Sequence, residues 1–307
     1  MSNVMSRAAL PFLLLFTACA STAERSSSVD LESAIRDRID GFHGKVGVYV
    51  KHLRHGTEIA IGADDLFPTA SLIKVPILAA LLDRVERGEL DYHAELTYTK
   101  ERLYPGEDIL GAVADGSHIT LAKVVMLMIT TSDNTAALWC QEMAGTGTAI
   151  NAWLEANGFT GTRMNSRTPG REPDKQRFGW GQTTPREMAE LLVRIRNGTL
   201  VSPSASEEMH RCLSRIFWDS EALSAIPPQV STMSKQGAVD HSRSEVVLVH
   251  APHGDYVFCV ITKDQDDATW RHDNEGFVLL REISAMLWRH FEPDRPFAQG
   301  AGAARYW

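Results

Sequence analysis

Residues 68–75 read Pro68-Thr69-Ala70-Ser71-Leu72-Ile73-Lys74-Val75, and they lead into an apolar pattern from Val75 to Arg87 that predicts a helix. A separation of three residues at a helix places the Ser71 hydroxyl and the Lys74 amine on one face. A serine becomes nucleophilic when a neighbour accepts its proton, and a lysine with a lowered pKa can be that neighbour. The same residues also fit a capping serine beside a solvated lysine, so the pattern alone leaves both interpretations open.

Two further short motifs lie downstream. Ser132-Asp133-Asn134 follows an apolar helical segment that ends near Ile129, in a polar cluster typical of a loop between helices. Lys235-Gln236-Gly237 lies on a stretch that leads into a β-rich C-terminal part. Taken singly, the first motif is explained by a helix N-cap and the second by a solvated strand lysine before a glycine.

The two ends of the chain carry strand patterns. Lys45 to Lys51 and Thr57 to Ile61 predict one hairpin, and Ser244 to His250 and Tyr256 to Thr262 predict another. Helical patterns follow Asp30, dominate the middle of the chain and begin again near Asn274. We therefore predict an α+β fold: one antiparallel sheet built from both chain ends and covered by helices, with a mostly helical domain inserted.

The expected domain boundaries follow from this pattern. They are a signal peptide at 1–23, an α/β domain at 24–63 plus 219–292, a helical domain at 64–218 and a loose tail at 293–307, with a site in the cleft between the domains. In the first segment a positive start precedes an apolar run that is too short to span a bilayer, so we expect export to the periplasm or the medium. Phe16-Thr17-Ala18-Cys19 also resembles a lipobox, which leaves open a lipid anchor at Cys19.

Composition excludes several classes of function. The 307 residues are 44% hydrophobic and carry a net charge of −8 without a basic run, so a nucleic-acid partner is not expected. Cys140, Cys212 and Cys259 show no C-x-x-C spacing and are expected to be free buried thiols. Metalloprotease, α/β-hydrolase and phosphate-loop motifs are absent, so we expect no metal and no cofactor.

In their order and separations, the three motifs resemble the S-x-x-K, S-D-N and K-T-G set of class A serine β-lactamases and penicillin-binding proteins. The resemblance covers about Asp30 to Phe291 and includes Thr183-Thr184-Pro185. It implies a β-lactamase/transpeptidase-like fold and a monomer that acts on a small-molecule amide. By the same resemblance, Ser71 would be acylated, Lys74 would act as or assist its base, and Ser132 would pass a proton to the leaving nitrogen.

The resemblance also implies the substrate contacts. Asn134 would bind the amide side chain of the substrate, and the strand that carries Lys235, Gln236 and Gly237 would hold its carboxylate. The N–H groups of Ser71 and Ala238 would form the oxyanion hole. Arg243 is a second candidate for the carboxylate, with a solvated strand arginine as the alternative.

Two departures from the family pattern affect these expectations. Gln236 replaces the usual hydroxyl residue, and we expect Ser234 or Ser242 to supply that hydroxyl instead. The loop before Thr183 lacks the expected Glu-Pro-x-x-Asn pattern. A gapless match puts Thr168-Pro169 at the Glu-Pro position, whereas a shifted register gives Glu172-Pro173-x-x-Gln176. We predict Glu172 as the base that activates water; the alternative is a surface carboxylate paired with Arg171 or Lys175.

Three functions follow from the resemblance. The first is hydrolysis of β-lactam rings through an acyl-enzyme on Ser71. The second is cleavage of a D-Ala-D-Ala peptide, or of another amide or ester, by the same acylation machinery. The third is a penicillin-binding sensor that becomes acylated without turnover, as expected if the water-activating carboxylate is missing.

Overall fold

The computed structural model describes residues 29–106 and 108–306. The predicted signal peptide at 1–23, including Cys19, lies outside the described residues. Within those residues, no helix combines the length and the apolar character that crossing a bilayer requires.

The chain forms ten described strands and nine described α-helices, which are interspersed along the sequence. The strands are β1 Lys45–His52, β2 Glu58–Ile61, β3 Phe67–Pro68, β4 Glu95–Thr97, β5 His118–Thr120, β6 Arg163–Met164, β7 Gly181–Thr183, β8 Thr232–Val239, β9 Ser242–Val249 and β10 Tyr256–Lys263. The helices are α1 at 29–39, α2 Lys74–Glu86, α3 Leu121–Thr130, α4 Asn134–Met143, α5 Thr146–Ala156, α6 Glu172–Phe178, α7 Pro185–Arg196, α8 Pro203–Leu213 and α9 Glu275–Phe291.

One five-stranded sheet joins the two ends of the chain. Its strand order is β2-β1-β10-β9-β8, and every neighbouring pair runs antiparallel. The N-terminal strand β1 pairs with the C-terminal strand β10, with Tyr49 opposite Cys259. Most of the helices lie between β2 and β8 along the chain. The predicted α+β fold, with one sheet from both chain ends and a helical insertion, is therefore confirmed.

The two faces of the sheet pack against different partners. Val247 and Val249 of β9 lie in an apolar cluster with Leu280 and Leu287 of α9. Val246 and Leu248 of the same strand lie in a second cluster with residues of α2 and α7. Strand residues point alternately to the two faces of the sheet, and both faces are covered here. Every position of β9 is therefore buried.

The C-terminal tail is attached to the rest of the molecule. The Trp288 Nε1 atom donates a 2.8 Å hydrogen bond to the Arg295 carbonyl, and Gln299 Nε2 donates one of 2.9 Å to the Ser224 carbonyl. Phe297 packs against the apolar cluster under α9. The expectation of a loose tail from Pro293 was therefore wrong for these residues.

Strand β8 lies directly against the turn that carries the predicted nucleophile. A Cβ atom on Gly237 would lie 2.8 Å from the Thr69 carbonyl oxygen and 3.0 Å from the Ser71 nitrogen. Only a residue without a side chain permits so close a backbone approach. The sheet and the helical part of the chain thus meet at Ser71.

Candidate active site

Ser71 lies in a single 3₁₀ turn, Ala70–Ile73, that leads into α2. The helix itself begins at Lys74, one residue earlier than predicted. Ala70 has a left-handed φ of 43°, a strained conformation of the kind that clusters at active sites. Ser71 lines an open cavity of about 580 Å³, to which Asn134 and Ala238 also contribute.

Lys74 is fully buried beneath the serine. Its Nζ atom donates hydrogen bonds to Ser71 Oγ at 3.1 Å, to Ser132 Oγ at 3.1 Å and to Asn134 Oδ1 at 2.8 Å, and it also contacts the Ser132 carbonyl. Burial lowers the pKa of Lys74 to about 7, against the opposing charges of Asp108 and Asp133. Among the described residues, no carboxylate forms an ion pair with it. The interpretation as a solvated lysine is therefore excluded, and near neutral pH the amine can accept the Ser71 proton.

Ser132 stands between two lysines. Its Oγ atom accepts hydrogen bonds of 3.1 Å from both Lys74 Nζ and Lys235 Nζ. Its backbone is left-handed, with φ 61°. The next residue, Asp133, caps α4 by accepting a 2.7 Å hydrogen bond from the Ala136 N–H. The motif therefore serves as a helix cap and also presents a hydroxyl to both amines.

Lys235 is fully buried at the opposite side of Ser132. Burial and the neighbouring Lys74 lower its pKa, and Glu245 opposes that shift. Its Nζ atom donates to Gln236 Oε1 at 2.7 Å and to the Gln236 carbonyl at 3.1 Å. The side-chain amide of Gln236 thus accepts a hydrogen bond from the Lys235 amine. At this position the family pattern has a residue with a hydroxyl group.

Neither candidate for the missing hydroxyl reaches Lys235. Ser234 Oγ donates a 2.7 Å hydrogen bond to Glu245, which shares the sheet face of Val247. The Ser242 hydroxyl is buried without a hydrogen-bond partner among the described residues. The expectation that one of these serines compensates for Gln236 was therefore wrong.

Arg243 lies on the face of the sheet that is turned away from Ser71. Its guanidinium donates to the carbonyls of Val239, Ser242 and Thr269, and it stacks on the rings of Trp270 and Phe277 beneath α9. The next residue, Ser244, points the other way and donates to the Gly237 carbonyl at 3.1 Å. The prediction of Arg243 as a carboxylate ligand was therefore wrong. Successive side chains of a strand point to opposite faces of the sheet, and that of Arg243 points to the face covered by α9.

Glu172 does not line the cavity that contains Ser71. It is the first residue of α6, its side chain is exposed, and within the described chain it bonds to no residue of the site. Arg171 pairs with Asp174 instead, at 2.9 Å. In the gapless register, Thr168 is buried and donates its hydroxyl to the Ser166 carbonyl. Across 29–106 and 108–306, neither register places a carboxylate in hydrogen-bond contact with Ser71 or Lys74.

Asp108 is a residue of the site that sequence reasoning missed. Its carboxylate accepts from Asn134 N at 3.0 Å, from Thr135 N at 2.7 Å and from Thr135 Oγ1 at 3.0 Å. It therefore holds the start of α4, on which Asn134 lies, and adds a negative charge to the surroundings of Lys74. The sequence around Asp108 has no periodic pattern, so no sequence signal pointed to it.

Tyr104 forms part of the cavity wall. Its ring stands edge-on to Trp180, with 5.2 Å between centroids, and both rings line the cavity together with Ser71. Tyr104 is thus a packed aromatic residue and also a wall of the cavity.

Comparisons with known proteins agree with this geometry. The family model described as "Beta-lactamase enzyme family" matches residues 30–291. Beta-lactamase AER-1 of Aeromonas hydrophila is 25% identical over 256 residues, which are 81% of this chain and 83% of the relative. A beta-lactamase of Rhodobacter capsulatus is 26% identical over 298 residues, 93% of this chain and 98% of the relative.

A solved structure with the same fold carries a covalent ligand. It is the penicillin G acyl-enzyme complex of a leucine-to-glutamate variant of PBP-A, and it matches with a TM-score of 0.77 at 25% identity over 86% of this chain and 97% of that chain. The matched family region of this chain contains the buried Lys74 and its contacts to Ser71 and Ser132. The chain belongs to the beta-lactamase enzyme family and is a serine hydrolase of the β-lactamase type.

Proposed function

We propose that this hydrolase opens β-lactam rings through an acyl-enzyme on Ser71. The observation that carries the proposal is the buried Lys74, whose Nζ atom lies 3.1 Å from the Ser71 oxygen and whose pKa is lowered to about 7. A neutral amine at this distance can accept the hydroxyl proton while the oxygen attacks the lactam carbonyl. Ser71 and Ala238 line the same cavity, and their backbone N–H groups are the proposed oxyanion hole.

Ring opening requires a proton on the lactam nitrogen as its bond to the carbonyl carbon breaks. Ser132 is the proposed donor because its hydroxyl contacts both Lys74 and Lys235. As the hydroxyl gives its proton to the nitrogen, the Lys74 ammonium returns one to Ser132 and becomes neutral again. Lys235, with Gln236 and Gly237 beside it, is proposed to attract the substrate carboxylate, and Asn134 to bind the substrate amide.

We further propose that hydrolysis of the acyl-enzyme is the slower step. Glu172 is exposed, and among the described residues Lys74 has hydroxyl, carbonyl and amide partners but no carboxylate partner. The regenerated amine of Lys74 is then the group that takes a proton from the attacking water.

Export, to the periplasm or the medium, is proposed from the sequence of residues 1–23, with lipidation at Cys19 as a variant of the same route.

The test is a pair of measurements on the full chain. A fluorescent penicillin should label Ser71 stoichiometrically, and nitrocefin should be hydrolysed with an initial burst followed by a slower steady rate. Ser71→Ala should abolish both signals. Labelling without any steady turnover would support the sensor function instead, and absence of labelling would contradict the proposal.

A further inference from the structure

The cavity that Ser71 lines is also lined by three cations. Lys45, Arg177 and Lys263 line it together with the serine. Lys45 and Arg177 are exposed and Lys263 is half-buried. Among the described residues none of the three has a carboxylate within ion-pair distance, although many other arginines of the chain do. These cations therefore meet in one cavity without a salt bridge to neutralise them.

Their arrangement is costly for the fold. Lys45 of β1 stands directly opposite Lys263 of β10 in the antiparallel register, and like charges at such positions are destabilising. Burial lowers the pKa of Lys263, Lys45 and Arg177 lower it further, and Asp65 and Asp264 oppose the shift. Like-charged groups that are kept together at such a cost are typical of a functional site.

The acidic residues of the lining do not cancel this charge. Two carboxylates, Asp240 and Asp264, line the cavity with the three cations. Asp240 also acts on Arg243 at the far side of the sheet. The lining thus keeps an excess of positive charge, which suits an anionic group rather than a cationic one.

The lining residues point to the acyl side of the scissile bond. Lys235 contacts Ser132, the proposed proton donor to the leaving nitrogen, and neither of them lines the cavity. Ser71 and Asn134, the proposed ligand of the substrate amide, do line it, so we assign the cavity to the acyl half of the ligand. Aromatic rings of Tyr104, Phe178 and Trp180 line its walls, and about 580 Å³ is enough for an aromatic side chain with a polar substituent.

We propose that Lys45, Arg177 and Lys263 form a subsite for a carboxylate on the acyl side chain of the substrate. The inference rests on the proposed function and defines its substrate class: β-lactams, or related amides, whose acyl group carries an aromatic ring and a second negative charge.

A matched pair of penicillins tests the subsite. Benzylpenicillin and α-carboxybenzylpenicillin differ only by a side-chain carboxylate. We expect the second to acylate Ser71 about threefold faster or more, in line with one or two exposed ion pairs, and this preference to shrink as salt is added. The double variant K45Q/R177Q should lose the preference while keeping its rate with benzylpenicillin within about twofold. The control is K175Q. Lys175 is an exposed cation of α6, the helix that carries Arg177, but it does not line the cavity, so this variant should behave as wild type.

Two results would overturn the subsite: no preference in the wild-type protein, or an unchanged preference in K45Q/R177Q. If neither penicillin labels Ser71, the proposed function fails, and direct binding decides about the subsite. Phenylmalonate, the free acid of the carboxylated side chain, should then bind the wild-type protein more tightly than phenylacetate and lose this advantage in K45Q/R177Q. Equal binding of the two acids would overturn the subsite independently of any acylation.

Discussion

The Nζ atom of Lys74 lies 2.8 Å from the Oδ1 atom of Asn134. This contact, with those to Ser71 and Ser132, surrounds a fully buried amine by neutral oxygen acceptors. Neutral dipoles stabilise an ammonium ion less than a paired carboxylate does. The effect of burial on the amine therefore prevails, and the pKa of Lys74 falls to about 7. Asn134 thereby connects the proposed base with the proposed site of substrate recognition.

Glu172→Gln should leave the rate of deacylation within about twofold of wild type. The side chain is exposed at the start of α6 and bonds to no described residue of the site. The rate is measured as the return of nitrocefin hydrolysis after acylation by benzylpenicillin, with Ser71→Ala as the blank. A loss of a hundredfold or more would restore Glu172 as the water-activating base.

Asp108→Asn should move the pH dependence of acylation to lower pH. Of the charges that raise the pKa of Lys74, that of Asp108 is the largest, so its removal lowers this pKa further. Asp108→Ala, which also breaks the bonds to Asn134 N and Thr135 N, should in addition slow acylation by about tenfold. Asp91→Asn is the control, because that exposed carboxylate accepts its hydrogen bond from the His93 N–H and contacts no described residue of the site. A slower rate with an unmoved pH profile would indicate a structural role alone.

Gln236→Thr should lower the KM for penicillins by about fivefold with little change in kcat. The Gln236 amide now accepts a 2.7 Å hydrogen bond from Lys235, and a threonine would free the ammonium and add a hydroxyl for the substrate carboxylate. Gln236→Ala separates the two effects because it frees Lys235 without adding the hydroxyl. A higher KM in the threonine variant would show that the amide itself contributes to binding.

Acid should destabilise the fold through His52. This residue is buried, and burial with neighbouring positive groups lowers its pKa to about 4 from 6.5. The unfolded chain binds the proton at higher pH, so stability present above pH 6.5 is lost as the pH falls towards 4, by up to about 3 kcal/mol.

The buried Glu245 acts in the opposite sense. Its pKa is raised to about 7, so the stability that it contributes in its protonated form is lost as the pH rises through 7. The contribution of His52 is therefore read as the difference in the free energy of urea unfolding between His52→Asn and wild type, followed from pH 7 to pH 4. His93→Asn, at an exposed position, is the control. A difference that stays constant over this range would contradict the assignment to His52.

Much of the fold could be predicted because its patterns are local. Alternating and apolar runs at both ends of the chain predicted β1, β2, β9 and β10, and their pairing followed from the connection rules of antiparallel sheets. The candidates Ser71, Lys74, Ser132 and Lys235, whose side chains lie together in the structure, could be predicted because each belongs to a short motif with a chemical requirement.

Sequence prediction was weakest where the pattern does not indicate in which direction a side chain points. Every residue of β9 is buried, so hydrophobicity could not tell which face Arg243 occupies. The loop that contains Glu172 could be aligned in two registers, and the short helix α6 that turns its side chain outward leaves no strong periodic signal. Asp108 reaches Asn134 across 26 residues of chain, a contact that only the tertiary structure creates.

The most direct test of the central claim is the pH dependence of Ser71 acylation by benzylpenicillin in single-turnover experiments. If neutral Lys74 is the base, the rate constant should rise about tenfold per pH unit below 7 and level off above it. Lys74→Arg, which stays protonated, should show no such rise and almost no acylation. A rate that is independent of pH between 5 and 8, or a rise centred near the ordinary lysine pKa of about 10.4, would contradict the account.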